Sequence, residues 1–160
     1  MTATTGSVND AVAQWLLRQR WQPEVRMVGA HHDDAGYIDA LAERVQGHWA
    51  KNGRGDKLVL SFHGMPARTL TLGDPYHCHC LKTARLLRER LGLDATQVVV
   101  TFQSRFGKAK WLEPATDATL LRLAAAGKTR IGIFAPGFSG DCLETLEELA
   151  KVKRIPIEVA

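Results

Sequence analysis

The chain has 160 residues, of which 45% are hydrophobic and 24% charged, as expected for one globular domain with a buried core. It contains no apolar run long enough to span a membrane and no start resembling a signal peptide. Its three cysteines, Cys78, Cys80 and Cys142, are odd in number and do not suit a secreted disulfide framework, so we expect a reducing, cytoplasmic setting.

The formal net charge of +4 would suit an anionic ligand or a nucleic acid. Much of this excess comes from Lys151, Lys153 and Arg154, which lie together near the end of the chain. We therefore interpret the charge as a solvated basic surface and expect no nucleic-acid partner.

Apolar periodicity and turn residues divide the chain into alternating helices and strands. Gly92 and Gly127 follow two of the predicted helices and mark their ends. The predicted elements are, in chain order, a helix at 9–20, a strand at 25–30, a helix at 35–50, a turn at 52–56, a strand at 57–62, a helix within 77–91, a strand at 97–102, a helix at 117–126, a strand at 130–135 and a helix at 141–150.

This alternation is typical of parallel βαβ units, so we predict an α/β fold: a three-layer, Rossmann-like parallel sheet with helices on both faces. The strands are nearly continuous apolar runs, as expected for strands buried on both faces. Right-handed crossovers would place every strand-to-helix loop at one edge, where ligands bind in such folds. The residues that follow the predicted strands are His31 and His32, then His63, then 103–105, and then the segment from Pro136 onwards.

His63 follows the strand at 57–62, and Gly64 then allows the backbone to turn sharply. A neutral imidazole in this position could act as a general base or as a metal ligand. The alternative is a core histidine that is hydrogen-bonded to backbone, and position alone does not separate these interpretations.

Asp141, Glu144 and Glu148 would lie along one face of the last predicted helix. Such a row of carboxylates can pass protons or hold a hydrated cation. The alternative is structural, because acids in a first turn complement the helix dipole, and Asp141 and Glu144 have the spacing of a capping box.

Two further short sequences do not indicate sites. The sequence HCHC at 77–80 has ligand types that zinc prefers, but four consecutive residues cannot all surround one tetrahedral ion, so we interpret it as the first turn of a helix. The sequence GKTR at 127–130 lacks the upstream glycine of a phosphate-binding loop and precedes a strand.

Three long stretches resemble the most characteristic sequences of the ferrochelatases, the enzymes that insert ferrous iron into protoporphyrin to make haem. They are LSFHGMPARTLTLGDPYHCHC at 60–80, TFQSRFGKAKWLEP at 101–114 and PGFSGDCLETLEELA at 136–150. Their order and spacing also match, and the resemblance covers roughly residues 2–150. It implies a chelatase-type fold in which two similar lobes hold the porphyrin between them.

The resemblance also implies roles for particular residues. His63 is expected to be the active-site histidine and Glu144 the active-site glutamate, both of them catalytic. The residues expected to meet the metal are His63, Glu144, Asp141 and Glu148. The residues expected to contact the porphyrin are Trp111, Phe138, Gly64 and Met65.

The activity implied is insertion of Fe²⁺ into protoporphyrin IX to form protohaem. Iron is then a substrate, and we expect neither a prosthetic group nor an iron–sulfur cluster. The alternatives are a related chelatase, acting on coproporphyrin or inserting cobalt during cobalamin synthesis, and a non-catalytic fragment that binds metal or porphyrin.

The same resemblance predicts the domain organisation. Residues 1–22 would be a linker and helix leading out of an absent amino-terminal lobe, 23–150 the carboxyl-terminal lobe, and 151–160 a divergent tail. Half a cleft should be poorly active alone. Its exposed apolar interface could drive self-association, and peripheral contact with a membrane is a further expectation.

Overall fold

A computed structural model describes residues 2–138, 140, 142 and 145. The sheet in this part of the chain consists of β1 (Lys57–His63), β2 (Val98–Gln103) and β3 (Ile131–Phe134). A π-helix (Thr2–Gly6) is followed by the α-helices α1 (Ser7–Leu16), α2 (Ala35–Asn52), α3 (Arg68–Thr71), α4 (Tyr76–Arg90) and α5 (Thr116–Ala125).

The strands are parallel and stand in the order β2-β1-β3, so β1 is central. The register sets Ser61 beside Thr101 and His63 beside Gln103 on β2. On the other side, the pairing of β1 with β3 ends where Leu60 meets Phe134. The last three residues of β1 therefore have β2 on one side but no paired β3 residue on the other.

Helices cover both faces of the sheet. The larger apolar core joins α2 and α4 to one face and includes Ala42, Val45, Leu58, Leu60, Phe62, Ala84, Leu87 and Phe102. The smaller core joins α5 to the opposite face and consists of Val59, Leu120, Ile131 and Ile133. Successive side chains of β1 alternate between the two cores, as the pleat of a strand requires. This arrangement confirms the predicted three-layer α/β class.

The predicted strands at 57–62, 97–102 and 130–135 are confirmed, each with ends shifted by one residue or less. The helices predicted at 35–50, within 77–91 and at 117–126 also form, and α1 ends earlier than the predicted 9–20. Most of the last predicted helix, 141–150, lies outside the described residues. No helix in the described part of the chain is both long and apolar enough to cross a membrane.

The prediction of a strand at 25–30 is wrong. Residues 22–31 have no regular secondary structure, and Val25, Met27 and Val28 are exposed. A strand needs an edge to pair with, and this run joins neither β2 nor β3. A short apolar run favours burial, but it does not specify the neighbouring strand with which it would pair.

The segment before α2 leaves large apolar side chains uncovered. Helix α1 has no buried residue and continues directly from the π-helix that precedes it. Trp15 within α1 is exposed, and beyond the helix Leu17 and Trp21 are 82% and 81% exposed and Val28 is also exposed. We refer to residues 15–28 as the apolar arm.

Candidate active site

His63 is the last residue of the central strand and lies at the carboxyl edge of the sheet. The apolar residues before it place β1 between the two cores, and burial decreases at His63 itself, which is partly buried. In open α/β sheets, ligands bind beyond this edge. The strand therefore presents an imidazole where the fold offers a binding site.

One ring nitrogen of His63 is committed to the backbone. Its Nδ1 lies 2.6 Å from the carbonyl oxygen of Gly64. A carbonyl oxygen can only accept, so Nδ1 carries the proton and donates it. In the neutral ring, Nε2 then holds the lone pair and is the atom that can accept a proton or bind a metal.

The peptide group that joins His63 to Gly64 is held at both ends. Its N–H donates to the carbonyl oxygen of Gln103 at 2.7 Å, while its carbonyl accepts a hydrogen bond of 2.9 Å from the hydroxyl of Tyr76. Strand β2 and helix α4 together therefore fix the turn that carries the imidazole.

Gly64 is required in this turn by space. A Cβ atom there would stand 2.5 Å from the carbonyl oxygen of Gln103 and 3.1 Å from Cε3 of Trp111. The first of these distances is too short for any real contact, and the atom approached is backbone. Glycine is thus required at this position by its close approach to β2 and not by a positive φ.

The loop after Gly64 pairs with the loop after β2. The N–H of Leu112 donates to the carbonyl of Met65 at 2.9 Å, and the N–H of Ala67 donates to that of Lys110 at 2.8 Å. Met65 and Trp111 are buried where these loops meet. Both side chains therefore pack at the junction of the two loops.

Aromatic rings surround this turn. The ring centroid of Phe138 lies 6.2 Å from that of His63. Phe106 is 73% exposed, and its centroid lies 4.7 Å from that of Trp111, whose indole N–H donates to the Phe106 carbonyl at 3.0 Å. Sequence reasoning missed Phe106, although a single aromatic residue among the basic residues of 104–110 is a signal that could have indicated it.

A buried polar group lies on the α5 side of the sheet, next to the edge. Ser61 donates to Oε1 of Gln103 at 2.5 Å, and Oγ1 of Thr116 lies 2.8 Å from Ser61 Oγ and 2.9 Å from Thr101 Oγ1. All four residues are buried. Their mutual hydrogen bonds satisfy polar atoms that burial would otherwise make costly.

Asp141, Glu144 and Glu148, the predicted row of acids, lie outside the described residues. The loop that leads to them is tied back to α2, because the hydroxyl of Tyr37 donates to the carbonyl oxygen of Pro136.

The sequence HCHC lies at the start of α4, as predicted. Cys78 is exposed, whereas burial raises the pKa of the Cys80 thiol to about 12 and keeps it protonated. Among the residues that the structure describes, no three His, Cys, Asp or Glu side chains could hold a metal ion together. Any metal site formed by three such groups would therefore need residues beyond the described set.

His31 and His32, predicted at the sheet edge, follow no strand and contact helices instead. His31 packs edge-on against Tyr37 of α2, with centroids 5.0 Å apart. His32 stacks on His79 of α4 at a centroid distance of 3.7 Å, and its carbonyl accepts from the hydroxyl of Thr83 at 2.6 Å. The two contacts of His32 attach the segment before α2 to α4.

The fold and the edge histidine define a class: Rossmann-like α/β lobes that bind a ligand beyond the carboxyl ends of parallel strands. The chain matches the ferrochelatase family over residues 1–155, and it belongs to that family.

The ferrochelatases of Methylibium petroleiphilum and a Polaromonas species are both 62% identical to this chain, over 152 and 151 residues. That of Teredinibacter turnerae is 55% identical over 152 residues. These alignments cover 94% or 95% of this chain but only 41% or 42% of the relatives. The chain thus spans about two fifths of the length of the curated relatives it matches.

Replacing Gly64 by Ala should destabilise the chain by about 1–3 kcal/mol, because the new methyl group collides with the backbone of β2. The matched control is Gly47→Ala in α2, where a Cβ would meet nothing within 4 Å and alanine favours the helix. Urea unfolding of both variants measures the difference. A Gly64→Ala variant as stable as the parent would show that the turn does not require glycine.

Acidification should destabilise the contact between His32 and His79. Burial and then the neighbouring His32 lower the pKa of His79, against a weaker opposing effect of Asp33 and Asp74. As the pH falls through about 6.5, the usual histidine pKa, the unfolded chain therefore binds more protons than the folded one. The free energy of unfolding should consequently decrease as the solution becomes more acidic.

Urea unfolding between about pH 7.5 and about pH 5.5, the range around the histidine pKa, tests this expectation. His79→Gln should reduce the pH dependence of stability, whereas Cys78→Ser, at an exposed position one residue away, should leave it unchanged. An unaltered pH dependence in His79→Gln would contradict the assignment.

Proposed function

We propose that this chain is the carboxyl-terminal lobe of a ferrochelatase whose complete form inserts Fe²⁺ into protoporphyrin IX to give protohaem. The observation that carries the proposal is the commitment of His63 Nδ1 to the Gly64 carbonyl, which leaves Nε2 with its lone pair at the ligand-binding edge. Membership of the ferrochelatase family supplies the reaction that such an imidazole would serve.

Metal insertion must remove two pyrrole protons and bring a hydrated cation to the centre of the macrocycle. In the proposed mechanism, Nε2 of His63 accepts a proton or receives the metal. Glu144, with Asp141 and Glu148 in the same row, passes protons away and replaces water ligands of the incoming iron. Iron enters this scheme only as a substrate.

The macrocycle is a flat, apolar ring, and it would lie along the aromatic side chains near the turn. Phe138 stands beside His63, and the exposed ring of Phe106 extends this surface over Trp111. Gly64 and Met65 would lie closest to the ring at the turn itself. Binding energy from these contacts would hold the macrocycle bent, so that its nitrogen lone pairs point to the metal.

The second wall of the cleft would come from an amino-terminal lobe, since the relatives are more than twice as long as this chain. The apolar arm is a suitable contact surface for that lobe, because large exposed apolar patches usually mark interfaces. The cysteines within the described residues are free, which favours the reducing, cytoplasmic setting that we propose.

The test is a chimera in which the amino-terminal remainder of the Methylibium petroleiphilum ferrochelatase precedes this chain. His63→Ala should lower its rate of iron insertion, followed by haem absorbance, by about 10²- to 10⁴-fold because the proton acceptor is lost. Glu144→Gln should also lower it. His48→Ala, at a position on α2, is the control.

Near-normal turnover in His63→Ala would return this histidine to a structural role. The assay should also offer coproporphyrin, a precorrin-type ring and Co²⁺. A preference for cobalt with the precorrin-type ring would overturn the proposed substrate pair.

The chain alone should self-associate and insert iron only slowly, because it lacks one wall of the cleft and exposes the apolar arm. Its mass in solution and its activity, with and without the added amino-terminal lobe, measure both effects. Replacing Leu17 and Trp21 by Ser should reduce self-association, since both side chains are largely exposed. A monomer that is fully active alone would contradict the expectation.

A further inference from the structure

Tyr76 contacts the active-site turn but has no part in the proposed mechanism. It is the first residue of α4, and its hydroxyl donates to the carbonyl oxygen of His63 at 2.9 Å. Its own N–H donates to Oδ1 of Asp74 at 2.9 Å, and Asp74 is buried. The side chain therefore starts from a fixed helix terminus and ends at the residue that carries the imidazole.

The end of β3 explains why this carbonyl needs a donor from outside the sheet. The N–H and C=O of a trans peptide point in opposite directions. Since the N–H of Gly64 points to β2, the carbonyl of His63 points to the side where β3 lies. The pairing with β3 stops at Leu60, three residues earlier, so the hydroxyl of Tyr76 takes the place of a strand donor.

The orientation of this peptide controls the ring of His63. The peptide determines where the next carbonyl, that of Gly64, lies, and Nδ1 of His63 donates to that carbonyl. A rotation of the peptide would move this acceptor and release the ring. The Tyr76 bond and the Gln103 bond hold the two ends of the same peptide, so loss of the Tyr76 bond removes one of the two restraints on its orientation.

The chemistry of Tyr76 suits a fixed donor. Burial, and then the neighbouring Cys80, raises the pKa of its hydroxyl, so the group stays protonated at neutral pH. It is therefore a donor to the carbonyl oxygen and not a source of protons for the reaction.

We propose that Tyr76 is a positioning residue for His63: its hydroxyl holds the 63–64 peptide so that Nδ1 stays bonded to Gly64 and Nε2 faces the substrate. The effect expected on kcat rests on the proposed metal-insertion function. The effect expected on the 63–64 peptide itself does not.

The variant that tests it is Tyr76→Phe, which removes only the hydroxyl. The matched control is Thr83→Val, which removes a hydroxyl of the same helix that donates to the carbonyl of His32 at 2.6 Å. Each variant loses one bond from a side-chain hydroxyl to a backbone carbonyl, and Tyr76→Phe also loses the contact of its hydroxyl with the Cys80 thiol. Only Tyr76→Phe affects the peptide beside the imidazole.

In the chimera described above, Tyr76→Phe should lower kcat by roughly 2- to 13-fold, the effect of about 0.5–1.5 kcal/mol for one hydrogen bond. The KM for iron and that for porphyrin should change less, because the substrate surfaces remain. Thr83→Val should leave kcat at the parental value. Parental kcat in Tyr76→Phe, or an equal loss in both variants, would overturn the proposal.

A second readout in this chain itself does not depend on activity. Hydrogen exchange of the Gly64 amide, observed by NMR, should accelerate by a similar factor, roughly 2- to 13-fold, in Tyr76→Phe beyond any change in global stability. Thr83→Val should show no such excess. Equal exchange in the two variants would overturn the positioning role, whereas an inactive parental chimera would overturn only the proposed function.

Discussion

The hydrogen bond from the Gly64 N–H to the Gln103 carbonyl sets the geometry of the candidate site. It brings the turn after β1 so close to β2 that no side chain fits at position 64. This turn also places the Gly64 carbonyl where Nδ1 of His63 can donate to it. A short backbone contact thereby decides which nitrogen of the imidazole is left for chemistry.

The strand that leads to this contact is supported on both faces of the sheet. Helices α2 and α4 bury one face of β1 and α5 buries the other, so the central strand is buried as far as Phe62. Beyond Leu60 the support changes, because β3 has ended and the hydroxyl of Tyr76 replaces it. The peptide that follows His63 is thus held by a strand on one side and by a helix terminus on the other.

Local sequence patterns predicted the strand at 57–62 and the place of His63 at its end, since both depend on residues close together in the chain. They could not predict the bond from Tyr76, thirteen residues further on, or the contact with Gln103, which depend on packing between elements. The apolar residues at 25–30 are the opposite case. Their hydrophobicity predicted burial, but the described chain provides no partner strand for them.

The central claim is that neutral His63 carries its proton on Nδ1. Nitrogen-15 NMR of the histidine side chains, assigned by the loss of one signal pair in His63→Ala, measures this directly. At a pH where the ring is neutral, the account predicts a protonated Nδ1 and an unprotonated Nε2 for His63. A neutral ring protonated on Nε2 would contradict it, because the lone pair would then face the Gly64 carbonyl and not the cleft.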